Sequence, residues 1–101
     1  MNSSVRNFLR SQAHSLKPIV MVGKDGADDR VVSALNEALS SHELVKVKFQ
    51  AHKDEMRALC ELLAQKTDSD LISNIGFIAT FYRDSEGHLM HIPKELSRKG
   101  E

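Results

Sequence analysis

The chain is poor in several things that would make its function easy to read. It has one cysteine, Cys60, among 101 residues. No internal disulfide can therefore form, and no His or Cys lies close enough in sequence to Cys60 to suggest a zinc site, so Cys60 reads as a small core residue. Aromatic residues are 5% of the chain and tryptophan is absent. Phe8, Phe49, Phe77, Phe81 and Tyr82 fall mostly on apolar faces and read as core rather than as stacking platforms, with Phe77 and Tyr82 the two to watch. No apolar run approaches the roughly 20 residues that cross a bilayer. The N-terminus has no apolar h-region after its first positive charge, so the expectation is no membrane association, no export signal and a cytoplasmic location. Net charge is absent too, with 14 Lys and Arg against 14 Asp and Glu, which argues against a generic nucleic-acid binder.

What is present is a folded, asymmetric chain. Hydrophobic residues at 41% fit one globular domain with a single modest core. Residues 1–53 hold eight basic and five acidic side chains, and residues 54–101 hold six and nine, so the first half is the basic one.

That half contains the stretch around which the chain is built, Lys17 to Val32. Pro18 opens the run Ile19-Val20-Met21-Val22, apolar at every position, which predicts an interior strand covered on both faces. Gly23-Lys24-Asp25-Gly26 follows as a turn, with Asp28 or Asp29 capping a helix that carries Val31 or Val32, Leu35, Ala38, Leu39 and His42 along one stripe. Two glycines permit positive φ and close approach of a ligand, and a helix start offers N–H groups and the positive end of its dipole. A G-x-x-G segment also serves simply as a tight strand-to-helix turn, and both readings stand.

Before this stretch, Ser3 or Ser4 is expected to cap a helix with Val5, Phe8, Leu9, Ala13 and Leu16 at helical spacing. Its polar residues include Arg6, Arg10 and His14. Arg10 and Lys17 would share one side if the helix ran that far, either as RNA contacts or as solubilising charge. After it, Glu43 to Gln50 alternates, with Val45, Val47 and Phe49 facing one way and Lys46 and Lys48 the other. The two lysines, about 7 Å apart, match successive phosphates or guard a sheet edge. Asp54 is expected to cap a third helix with Met56, Leu59, Cys60 and Leu63 inward. Two strands, 71–76 and 77–83, bend at Gly76, and 85–101 forms a C-terminal extension expected to pack loosely and then fray. The order α-β-α-β-α-β-β predicts a single α/β domain over 1–84 with a four-stranded mixed sheet.

Catalytic patterns are missing: there is no G-x-S-x-G, Walker lysine, G-x-G-x-x-G or H-E-x-x-H. His88 and His91 have no third ligand nearby, and Asp68 with Asp70 flank a turn. The expectation is a non-enzyme without cofactor or metal. Few stacking residues with a glycine turn and lysines suit the backbone and shape of RNA rather than base identity.

Four blocks in order, F-L-R-S-Q-A-H-S-L-K-P (8–18), V-G-K-D-G (22–26), H-E-L-V-K-V-K (42–48) and I-G-F-I-A-T-F-Y-R (75–83), resemble the CRM domain, the chloroplast RNA splicing and ribosome maturation module, in its bacterial stand-alone YhbY form. The resemblance implies a fold similar to the C-terminal domain of the third bacterial initiation factor. It implies an RNA-binding protein that associates with large-subunit ribosomal precursors and assists ribosome biogenesis. The family's GxxG loop falls on Gly23, Lys24, Asp25 and Gly26 as RNA contacts; Arg10, Lys17, Lys46 and Lys48 are added from the charge pattern alone. The expected partner is structured RNA bound by a monomer, with no DNA. The alternative is an interaction module docking a ribosomal protein or assembly factor. The sequence departs from the family at Asp25, where Asn is common, and at Phe77, where a basic residue is frequent.

Overall fold

The computed structural model describes residues 1–98. Its first helix, α1 (Ser3–Ala13), buries Val5, Leu9 and Ala13, which recur every four residues and so share one face. The cap is Asn2, one residue earlier than expected, whose side chain accepts the Val5 N–H at 2.9 Å. Arg6 fastens this helix to the sheet by donating to the Leu71 carbonyl at 2.5 Å and the Ile72 carbonyl at 3.2 Å. Because α1 stops at Ala13, the helix does not run far enough for Arg10 and Lys17 to share one side of it.

The chain continues through β1 (Val20–Val22), α2 (Asp29–His42), β2 (Leu44–Phe49), a 3-10 turn (Lys53–Glu55), α3 (Met56–Thr67), β3 (Asp70–Ile75), β4 (Ile78–Tyr82) and α4 (Lys94–Arg98). Asp54 lies inside the 3-10 turn, and Glu55 precedes α3 without a side-chain cap, so the expected cap at Asp54 is not formed. The four strands make one mixed sheet in the order β1-β2-β4-β3, with β1 parallel to β2 and the other pairs antiparallel. This is the expected α/β architecture with a fourth short helix added.

Strand β1 lies at an edge, not in the interior. Its outer face is wet, with Ile19 54% and Met21 45% exposed. An unbroken apolar run reads as two-sided burial, but here no helix covers that end of the sheet face. Strand β2 is interior instead, so Lys46 and Lys48 guard no edge.

One sheet face packs against α2 and α3 through Val20, Val22, Leu35, Leu39, Val47, Phe49, Leu63 and Phe81. Cys60 belongs to this core, and burial pushes its thiol up to about 11, which makes it inert. The other face is half covered: α1 packs on Leu44, Ile72 and Tyr82, with Met90, Ile92 and Leu96 closing over them from the C-terminal segment. Tyr82 is therefore a core residue.

The C-terminal segment is held more firmly than expected. Glu43, at the end of α2, is fully buried and adopts φ 66. Its carboxylate accepts the Met90 N–H at 2.7 Å, the Ser85 N–H at 2.9 Å and the Ser85 hydroxyl. Burial alone would raise this acid, but the bonds from Ser85, Leu89 and Met90 outweigh it and hold the carboxyl at about 2. The side chain of Asn2 adds a bond to the Leu96 carbonyl at 2.8 Å. The expected fraying at 99–101 lies outside the described residues.

Candidate nucleic-acid interface

Strand β1 ends at Val22 and delivers Gly23 to Gly26 at one end of the sheet. The turn closes by donation from the Gly26 N–H to the Gly23 carbonyl at 3.0 Å, with Gly26 at φ 68. A side chain at Gly23 would meet nothing within 4 Å, so this corner faces open space. At Gly26 the positive φ makes any side chain costly whatever the room.

Two features of this loop were not legible in sequence. Arg30 lies 2.9 Å from the Asp25 carboxylate and 3.1 Å from that of Asp28, so one cation is shared by two acids and offsets part of the negative charge that would repel phosphate. Asp28 also caps α2 by accepting the Val31 N–H at 3.1 Å, and that bond, followed by Arg30, holds its carboxyl below the usual range. The Val31 N–H is consequently occupied, so one of the donors at the helix start is spent on the cap.

The second feature is His52, itself at φ 56, whose Nε2 lies 2.5 Å from the Lys24 carbonyl. The ring nitrogen donates, which requires its proton on Nε2. Its Nδ1 lies 3.7 Å from Glu55. The bond to the Lys24 carbonyl, with lesser help from Glu55 and Asp25, raises His52 above the ordinary imidazole value against the opposing effect of partial burial. His52 is 28 positions from Lys24, so no local spacing could reveal the pair.

Beside the loop lies the half of the sheet that α1 leaves open. Register places Met21, Lys48, Ile78 and Ile75 as cross-strand neighbours in one row and Lys46, Thr80 and Ser73 in the next. Arg10 from α1 and His14, which follows the helix, border the second row and share a concavity with Lys46, Ser73 and Thr80. Lys17 lies in a separate groove with Gln12, Leu16, Ile19 and His42, and Lys46 lines both. Arg10, Lys46 and Lys48 are thus brought to one face, Lys17 to its flank, and Lys24 to the loop at its end. Arg83, part of the last matching block, is used elsewhere. It donates to the Asn36 side chain at 2.8 Å, the Thr67 carbonyl at 2.6 Å, the Asn36 carbonyl at 3.0 Å and Ser40 at 3.0 Å, tying β4 to α2 and α3.

Among the described residues, no group of three or more His, Cys, Asp or Glu could hold a metal ion. His88 pairs with Asp84 at 2.9 Å. No helix among the described residues is long and apolar enough to cross a membrane.

Comparison with known proteins gives a consistent result. The model of the CRS1/YhbY (CRM) domain family matches residues 1–83. The chain is 41% identical over 75 residues to a probable RNA-binding protein of Pseudomonas aeruginosa, covering 73% of this chain and 72% of that one. It is 30% identical over 96 residues to an RNA-binding protein of Haemophilus influenzae, covering 94% and 97%. Among solved structures, a hypothetical protein of Staphylococcus aureus superposes with a TM-score of 0.77 at 32% identity, covering 92% of this chain and all of that one.

Proposed function

The chain belongs to the CRS1/YhbY (CRM) domain family, and from that membership we propose that it is a non-catalytic protein that docks structured RNA through Gly23 to Gly26 and the open basic half of its sheet. The observation that carries this reading is the continuity of the two: a glycine turn whose acids are partly offset by Arg30 runs directly into a face bearing Lys46, Lys48 and Arg10. A neutral chain has no long-range pull on nucleic acid, but a local cluster of cations beside close-approach backbone does. Few bases can be read by such a surface, so shape and backbone dominate recognition.

We further propose that the bound RNA is a precursor of the large ribosomal subunit and that the protein acts there as a cytoplasmic monomer during assembly. The test is sedimentation of a low-salt lysate on a sucrose gradient, with and without ribonuclease. Co-migration with large-subunit precursors that ribonuclease abolishes is the expected result. Co-migration that survives ribonuclease would replace RNA by a ribosomal protein or assembly factor as the partner.

A further inference from the structure

At the tip of the β3–β4 hairpin the turn residues are Gly76, at φ 59, and Phe77. Phe77 belongs to neither core cluster and is 50% exposed, although a ring of that size is normally a core asset. Its backbone is pinned nonetheless, because its carbonyl accepts the Phe49 N–H at 2.8 Å. The next amide of the chain, Gln50, donates in the opposite direction to the Val22 carbonyl at 2.9 Å. Phe77 and Gly23 therefore flank the end of β2, on the order of 10 Å apart across two strand spacings. Lys53 adds the charge. Its Nζ lies 4.0 Å from the centre of the Phe77 ring, and it follows His52, the residue that holds the Lys24 carbonyl. A cation over one face of a ring leaves the other face for a second flat group.

We propose that Phe77 and Lys53 form a stacking step for one unpaired nucleotide of the bound RNA, the ring taking the base and the ammonium taking the adjoining phosphate. The inference rests on the RNA-binding reading above and adds to it a preference for RNA in which a single strand adjoins the structured part. The charge beside the ring is what selects a nucleotide over an apolar side chain of a protein. A ring on a fixed backbone loses little freedom on stacking, and stacking tolerates any base because every base has a π face. Bases inside an A-form duplex present no free face to it.

The experiment compares a short RNA hairpin carrying a single-stranded adenosine tail with the same hairpin lacking it, by anisotropy of the labelled RNA. The native protein is expected to bind the tailed RNA about tenfold more tightly, and Phe77→Ala to remove that preference while leaving the untailed affinity within about twofold. Phe77→Leu, which keeps apolar bulk without a ring, is expected to behave as Phe77→Ala does. The chain has no tryptophan, so Phe77→Trp supplies a single reporter whose emission the tailed RNA should quench and the untailed RNA should not. Equal binding of both RNAs by the native protein, with unquenched Phe77→Trp emission, would overturn the stacking step and leave the RNA-binding reading standing. Binding of neither RNA would overturn both.

Discussion

The carboxylate of Glu43 accepts the N–H of Met90 across 47 positions of sequence, at 2.7 Å in the interior of the protein. Together with Ser85 this bond fixes the segment that carries Met90, Ile92 and Leu96 onto the face shared with α1. A buried acid is here the fastening point of the C-terminal segment. Glu43→Gln keeps the shape and removes the charge, and should cost about 2 kcal/mol in urea unfolding at neutral pH.

The same acid gives the protein a defined acid sensitivity. Its folded value of about 2 lies below the ordinary 4.5, so its contribution is complete above about 4.5 and is lost as pH falls from there toward 2. Stability measured across that window should fall in the native protein and fall less in Glu43→Gln.

His52 acts in the opposite sense. Its value is raised above 6.5, so the protonated ring's hold on the Lys24 carbonyl is full below 6.5 and declines as pH rises through the raised value. The chemical shift of the Lys24 carbonyl carbon should change over that rise as the bond from the ring weakens. In His52→Ala that change should disappear.

The two glycines separate binding from stability. Gly23→Asp meets open space and should leave the melting temperature unchanged while weakening RNA binding about tenfold, through an added negative charge at the contact. Gly26→Asp should weaken binding as well, but it also carries about 1 kcal/mol of backbone strain at φ 68. An unchanged affinity in folded Gly23→Asp would remove the loop from the interface.

Not every cation belongs to the proposed RNA surface. Lys46→Ala and Lys48→Ala should each lower the slope of log affinity against log salt by about 0.7 with little change in stability. Arg83→Ala should do the reverse, costing about 3 kcal/mol of folding through its lost bonds to α2 and the end of α3, with the salt slope intact.

The amino-acid sequence by itself determined the first three helices, the four strands and their order, because each rests on local rules. Val5, Leu9 and Ala13 repeat every four residues, Val45, Val47 and Phe49 alternate, and Gly76 bends one strand into the next. What only the tertiary structure decided is which strand lies at the edge and which charges are spent on structure. Met21 is apolar yet half exposed because α1 ends before it can cover β1, and that length is set by packing rather than by Met21 itself. Arg83 and Lys48 read alike as basic strand residues, but one is consumed by carbonyls 16 and 47 positions away and the other lies exposed on the open face. Glu43 with Met90, His52 with Lys24 and Lys53 with Phe77 are likewise pairs brought together by the sheet order. Such contacts lie between residues far apart in the chain, where periodicity and capping carry no information.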